Sequence, residues 1–427
     1  MENLTNALRS LNPWWANKSI SKENLIDRSI KEEILCSFEL RQIKDLLGVR
    51  RSGKTTLLYL TIEYLLKKGV PSTKIFFLSF DEINISTAGF EEIEKAIYQI
   101  EPNPEYLFLD EAQEKRDWQR WVKQLYDLRR FKHIFVSGSN ATLLSKDVGK
   151  LLTGRHITTV IFPFSFKEFL LANNWNNFDW NYLLSEKNKI LHYLNKYLKK
   201  GGFPETIYEE DEFANRILTN IYNDIISRDI ATRYSIEREK IDLLAKYLFT
   251  NITKEYSYNK LAKAVGINVD TVERYLEYLK ETYLVYSLDF FSYKLKIQYK
   301  QNKKIYCVDN GLRNFVSFRF SEDIGKLYEN TVFIELNRRK KEVYYWKGNG
   351  EVDFLVKEGL KVKELIQVCQ DISDEKTKKR EVDGLVEAAK VFKIKKGIII
   401  TEDHSDEMEK KGIKIKFIPL WLWLLKG

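Results

Sequence analysis

The chain has 427 residues, enough for two to four domains at roughly 100–200 residues each. Its 44% hydrophobic and 14% aromatic content exclude a disordered chain. Lys and Arg number 70 against 61 Asp and Glu, a formal charge of +9 that leans mildly toward polyanions; with 31% charged residues mostly balanced, it does not by itself establish nucleic-acid binding.

Three cysteines (Cys36, Cys307, Cys369) and four histidines (His133, His156, His192, His404) stand far apart. That scatter argues against a disulfide scaffold and against a His/Cys zinc site. Met1–Asn6 has no basic start leading into an apolar stretch, so no signal peptide is expected. The most apolar run, Phe417–Leu425, is interrupted by Pro419 and falls short of the roughly 18–20 residues of a spanning helix. A buried final strand or helix in a cytoplasmic, non-membrane protein is the expectation.

In chain order, Ile43–Leu47 can be a strand. Ile75–Phe80, Tyr106–Leu109 and His133–Val136 are continuous apolar runs of strand length, as in a parallel sheet buried on both faces. Helical patterns at Thr55–Lys67 and Trp118–Arg129 alternate with them, which reads as an α/β doubly wound sheet. From Phe166 the pattern turns helical, with Phe166–Leu171, Trp180–Lys200 and Glu212–Asp229 at helical spacing, broken at Gly201–Pro204. Lys246 to about Phe291 reads as a compact helical unit with a strand behind it. Strands return at Ile305–Val308, Val343–Trp346, Glu351–Val356, Leu365–Cys369 and Gly397–Ile400, with helices at Lys326–Arg338 and Thr377–Val391. That predicts a second α/β domain.

Gly48–Thr55 (GVRRSGKT) matches GxxxxGK(S/T) without deviation, between a strand and a helix. Such a loop, here Gly48, Arg50, Arg51, Ser52, Gly53, Lys54, Thr55 and Thr56, turns backbone N–H groups inward onto a phosphate at a helix N-terminus. Lys54 would reach the β- and γ-phosphates and Thr55 would ligate Mg²⁺. Leu107–Glu111 (LFLDE) places two acids at the tip of a strand, where open α/β sheets bind ligands. Asp110 would hold Mg²⁺ through water, and Glu111 would polarise the attacking water. His133–Asn140 (HIFVSGSN) ends a further strand in small polar residues, and both Ser139 and Asn140 can face a γ-phosphate or its attacking water. Arg155, beside Gly154, presents a guanidinium suited to a transferring phosphate.

The order GVRRSGKTTLL, YLFLDEAQ, VSGSNATLL, LLTGR, PFSFKEFL, GGFPE resembles the prokaryotic AAA-type ATPases with a C-terminal domain of unknown function, relatives of the STAND-like branch of P-loop ATPases. The resemblance covers about residues 20–425. It implies an ATPase core, a winged-helix segment and a C-terminal domain like a restriction endonuclease. By position it puts Lys54 and Thr55 in the Walker A role, Asp110 and Glu111 in the Walker B role, Ser139 or Asn140 as sensor, and Arg155 as the γ-phosphate arginine, in its own subunit or a neighbour's. The expected division is 1–165 ATPase core, 166–245 helical lid, 246–300 winged helix and 301–427 restriction-endonuclease-like domain.

Within Tyr258–Leu279, an amphipathic helix ending at Gly266 and a second helix from Thr271 give the helix-turn-helix pattern. Asn268, Asp270, Thr271 and Arg274 would face a groove, and Val285–Phe290 would start a wing. Tyr293–Lys304 holds Lys294, Lys296, Lys300, Lys303 and Lys304 with no acid, which suits a phosphate backbone. Asp270, Glu273 and Glu277 on the second helix repel phosphates. In the last domain Glu329, Asp353 and Gln367 fit the acid, Asp and Glu/Gln positions of a metal-dependent nuclease, but Cys369 stands where the lysine belongs, and a thiol does not replace an ammonium. Lys361 and Lys363 lie nearby, on the preceding turn or the strand start. The expectation is a degenerate nuclease fold kept for binding or oligomerisation.

The function expected is Mg²⁺-dependent ATP binding and hydrolysis that reorients the winged helix and C-terminal domain, acting on double-stranded DNA through the winged helix and Tyr293–Lys304, with homo-oligomerisation open. The alternatives are a nucleotide-switched scaffold acting on protein partners and a metal-dependent nuclease.

Overall fold

The computed structural model describes residues 2–16, 25–140, 152–317 and 323–426. The end of the VSGSNATLL motif (141–144) and Leu151 of LLTGR lie outside the described residues. The chain divides into two compact units, one of residues 1–162 with 281–283 and the other of the remainder.

The first unit is built on five parallel strands: β1 (Ile43–Leu47), β2 (Ile75–Ser79), β3 (Tyr106–Asp110), β4 (His133–Gly138) and β5 (His156–Val160), in the order β2-β3-β4-β1-β5. Strands β1, β3 and β4 are buried at every position. Aliphatic and aromatic residues fill both faces: Leu46, Leu57, Leu58, Ile62, Phe77, Phe108 and Phe135 form one cluster, with Phe108 stacked on Phe135 at 4.7 Å. Burial of this apolar area is the main drive for the layered arrangement.

Two charged residues sit inside β1. The Asp45 carboxylate meets the His156 ring on β5 at 2.5 Å, and the Lys44 ammonium meets His133 on β4 at 3.0 Å and the Leu40 carbonyl at 2.6 Å. Cross-strand partners let a central strand carry polar groups.

The first helix, Glu2–Leu11, leads to Asn12, whose amide accepts from Phe77 N–H at 2.7 Å and donates to Phe77 O at 2.9 Å. The Trp14 and Trp15 indoles both donate to Ile75 O, at 3.2 and 3.0 Å. Edge strand β2 thereby has part of its open backbone satisfied by side chains.

In the second unit, Ser165 and Glu168 form a reciprocal cap, 3.2 and 2.8 Å, that starts the helix Phe166–Ala172. Helices Trp180–Ser185, Lys187–Lys200 and Asp211–Asp224 follow, and the last runs on through a π-helical Ile225–Thr232. Next come a helix Arg238–Thr250, strand β6 (Glu255–Tyr256), helices Tyr258–Val265 and Val269–Glu281, and strands β7 (Val285–Leu288) and β8 (Lys303–Cys307). The three strands form an antiparallel sheet ordered β6-β8-β7.

The C-terminal part is a six-stranded mixed sheet, β13-β14-β12-β11-β10-β9, from β9 (Glu342–Lys347), β10 (Glu351–Glu358), β11 (Lys361–Val368), β12 (Lys396–Thr401), β13 (Asp406–Lys410) and β14 (Ile413–Pro419). Helix Glu375–Phe392 packs Val382, Leu385, Val386 and Ala389 into the cluster that Leu355, Leu365, Ile399 and Phe417 contribute from the sheet. The apolar C-terminal run is both strand and helix: β14 ends at Pro419 and Leu420–Leu425 is helical. No helix among the described residues is long and apolar enough to cross a membrane.

Candidate nucleotide site

Strand β4 lies between β1 and β3. The loop after β1 and the C-terminal tips of β4 and β3 therefore share one edge of the sheet. The loop turns at Gly48, whose φ of 152° puts it outside the ordinary range for a side chain; a Cβ there would stand 2.1 Å from Ile161 O. It closes at Gly53, left-handed at φ 95°, which precedes the helix Lys54–Lys67. Arg51 is also left-handed, at φ 67°.

The Lys54 side chain is buried, and its ammonium donates to Gly48 O at 3.2 Å and Val49 O at 3.1 Å. The Thr55 hydroxyl donates to both Asp110 oxygens, at 3.1 and 3.0 Å. The two residues assigned to one metal from sequence thus meet across 55 positions of chain. The fully buried Ser52 hydroxyl has no hydrogen-bond partner among the described residues. A hydroxyl and a carboxylate converging beside an ammonium and a helix N-terminus are the donor set a Mg²⁺-bound triphosphate needs, so the residues present fit that group.

Asp110 is held from a second side by the Ser137 hydroxyl of β4. Ser137 Oγ also accepts from Glu111 N–H at 3.3 Å. Glu111 is left-handed at φ 49°, ψ 49°, an uncommon conformation for a side-chain-bearing residue and one that sites hold under strain. Gln113 donates to the Glu111 carboxylate and to the Ser139 hydroxyl at 3.2 Å, which ties the β3 tip to the β4 tip. Asn140, two residues past the end of β4, is fully buried. Arg50 is half-buried, Arg51 exposed and Thr56 half-buried on the same loop and helix start.

Three contributors had not been picked out from the sequence. Ser137 lies two residues before Ser139 and Gln113 two residues after Glu111, inside the same two motifs. Arg28 belongs to no motif; it is buried, and its guanidinium donates to Ser52 O and Phe162 O, both at 2.8 Å, pinning the loop from behind.

Arg155 is placed differently from expectation. Its backbone O accepts from Ile43 N–H at 2.7 Å, at the start of β1, whereas the phosphate loop follows the end of β1. Its guanidinium is bound to Asp127 at 2.8 Å. Five residues of parallel strand, roughly 16 Å at 3.3 Å each, separate it from the loop, so it does not reach a phosphate held by its own chain.

The C-terminal residues do come together. Glu329 lies on the helix Ile324–Arg338, Asp353 on β10 and Gln367 on β11. Gln367 accepts from Asp353 N–H at 3.1 Å and donates to Glu381 at 2.6 Å. At the centre is a cation: the buried Lys304 ammonium lies 3.1 Å from Glu329, 2.7 Å from Glu351 and 3.0 Å from Asp353. Those carboxylates hold its pKa well above the usual lysine range against the pull of burial. Lys304 is therefore not part of an exposed basic stretch, and Lys303 is paired with Asp289 at 3.0 Å. Cys369 is buried, and that burial pushes its thiol up to about 12.

A parallel sheet with a phosphate loop after its first strand and an acidic pair at the tip of its third is the core of an AAA-type P-loop ATPase. An AAA domain matches residues 40–170, and two domains of unknown function, DUF8612 and DUF4143, match 191–323 and 324–423. The chain is 34% identical over 426 residues to the uncharacterized protein MJ1544 of Methanocaldococcus jannaschii (95% of this chain, 92% of that one) and 29% identical over 414 residues to an uncharacterized protein of Haemophilus influenzae (94% and 98%). The chain belongs to the family of that archaeal protein. Among solved structures, AMPPCP-bound DnaA from Aquifex aeolicus is 20% identical, with coverage of 64% of this chain and 92% of that one, but at a TM-score of 0.28 the likeness carries no argument.

Two outcomes follow from the site chemistry. Burial, then the Glu111 charge, push Asp110 up from 3.8 to about 6, while Ser137 and Thr55 pull it down. An acid raised in the folded state favours its protonated form, so its contribution to stability is lost as pH rises through about 6. A cation held by the carboxylate through water would disfavour the proton. The stabilisation that Mg²⁺ with ATP gives, read as a thermal-unfolding shift, should grow between about pH 5 and about pH 7, and Asp110→Asn should flatten that rise. Separately, Lys304→Met should cost about 3–5 kcal/mol in urea denaturation, because it leaves buried carboxylates without a counter-charge.

Proposed function

We propose that this protein binds ATP with Mg²⁺ on Gly48–Thr55 and hydrolyses it, and that the nucleotide state drives rearrangement of the following domains in a cytoplasmic protein that acts on DNA. The observation that carries the reading is the meeting of Thr55 with Asp110 beside the Ser137–Glu111–Gln113–Ser139 network. Bound Mg²⁺ would supply charge neutralisation at the phosphates. Lys54 would exchange its two loop carbonyls for phosphate oxygens. Thr55 and Asp110 would hold the metal, Asp110 through water. Glu111, its carboxylate oriented by Gln113, would accept a proton from the attacking water. Ser139 joins this network through Gln113, and either Ser139 or Asn140 would sense the γ-phosphate. Arg155 keeps a role only toward a neighbouring subunit, in a homo-oligomer.

Arg238–Cys307 runs helix, strand, helix, helix, strand, short helix (Leu295–Lys300), strand, with the three strands in one antiparallel sheet, which supports the winged-helix reading, and with it the DNA reading. For the C-terminal domain, Lys304 amid Glu329, Glu351 and Asp353, and Cys369 in place of a lysine, favour a nuclease-like fold without nuclease activity.

Lys54→Ala should weaken ATP binding about 10- to 100-fold, the worth of one charge-assisted phosphate contact. Glu111→Gln should bind ATP normally and turn over about 100-fold more slowly. Nucleotide titration and phosphate release check both. Normal turnover in Glu111→Gln would remove it as the water-activating group.

A further inference from the structure

We propose that the connection between β7 and β8 binds single-stranded nucleic acid, with Tyr293 and Tyr299 stacking on bases and Lys294, Lys296 and Lys300 contacting the backbone. The proposal rests on the DNA reading above and narrows it to a strand type and to particular side chains.

Within this connection lie Tyr293, 68% exposed, Leu295, 65%, Ile297, 41%, and Tyr299, 77%. Four large apolar side chains open to solvent in seven residues form a patch, which marks a surface that something covers. A short helix, Leu295–Lys300, carries three of them. Tyr293 is anchored: its ring stands edge-on to Phe291 at 5.0 Å and lies 6.2 Å from Phe392. A fixed, exposed ring loses little freedom when a second ring stacks on it.

The charge of the patch selects the occupant. Between Phe290 and Lys304 the sequence has no Asp or Glu. With Lys303 paired and Lys304 buried, Lys294, Lys296 and Lys300 remain as the cations interleaved with the aromatics. Lysines alternating with exposed rings suit a polyanion that also presents flat apolar faces, which is the description of a nucleic acid with its bases accessible. A duplex keeps those faces inside its own stack and would leave Tyr299 and Leu295 against a phosphate wall.

The helix that would enter a duplex groove speaks the same way. Val269–Glu281 carries Asp270, Glu273 and Glu277, and its Lys280 is held by Glu277 at 2.8 Å. Arg274 is the cation left in its first half. A duplex reader of that charge works against phosphate repulsion, so binding is displaced from the helix to the neighbouring connection.

The test is fluorescence anisotropy of the full-length protein with a labelled oligothymidylate of about 15 nucleotides and a duplex of equal length, at two salt concentrations. The wild type should prefer the single strand. Tyr299→Ala, at a side chain too exposed to disturb folding, should weaken single-strand binding about tenfold and duplex binding less than twofold. Replacing Lys294, Lys296 and Lys300 by Gln should weaken both and lower the salt slope by about two. A wild type that prefers duplex, or a Tyr299→Ala protein that binds single strand unchanged, overturns the inference and leaves the DNA reading standing. Binding of neither nucleic acid at low salt overturns both, while ATP turnover, measured alongside, reports on the nucleotide site independently.

Discussion

The hydrogen bond from Thr55 to Asp110, 3.0 Å long, is the contact on which the site depends. It joins the first turn of the helix after β1 to the tip of β3, two strands away in the sheet. Parallel strands bring these ends to one edge, and the order β3-β4-β1 sets the β4 hydroxyl of Ser137 in the interval, where it bonds Asp110 as well. Apolar runs in β3 and β4 secure that order by packing, and the polar tips then fall together without further adjustment. The loop is confined from behind, by the Ile161 carbonyl under Gly48 and by Arg28 on Ser52. Sheet topology, then, places the acids, and two backbone clamps place the phosphate loop.

Charge is handled differently at the C-terminal carboxylates. There the chain supplies its own cation: Lys304 comes from β8, and the acids come from Glu329 on a helix and Glu351 and Asp353 on β10. Asp353 is buried and Glu329 and Glu351 are partly so; without a counter-charge this cluster would be costly, and one ammonium within 3.1 Å of each carboxylate offsets much of that cost. The same contact ties the small antiparallel sheet to the C-terminal domain.

Much of this was legible in the sequence. Continuous apolar runs marked β2, β3 and β4 because strands covered on both faces need no polar alternation. The phosphate loop and the Asp110–Glu111 pair were legible because their chemistry demands particular residue types at fixed places. Strand β5 was not seen: His156–Val160 reads HITTV, short and polar, and it sits at the sheet edge with half-exposed side chains. Strand β13, DEMEK, hid in the same way. The stretch Trp180–Lys200 read as one helix is two, Trp180–Ser185 and Lys187–Lys200, with Glu186 ending the first and starting the second. Which subunit Arg155 would serve was not legible, since a glycine beside an arginine says nothing about which end of a strand it occupies. Lys304 was counted with a basic stretch, as sequence shows a lysine's neighbours along the chain and not the carboxylates folded around it.

The central claim, that Thr55 and Asp110 jointly hold the metal of a bound nucleotide, is tested most directly by a double-mutant cycle. ATP affinity would be measured calorimetrically, with Mg²⁺ and with a chelator, for the wild type, Thr55→Val, Asp110→Asn and the double variant. Joint ligation predicts that each single change removes most of the Mg²⁺-dependent affinity and that the second adds little, a coupling of about 1 kcal/mol or more. Additive losses of equal size with and without Mg²⁺ would contradict it.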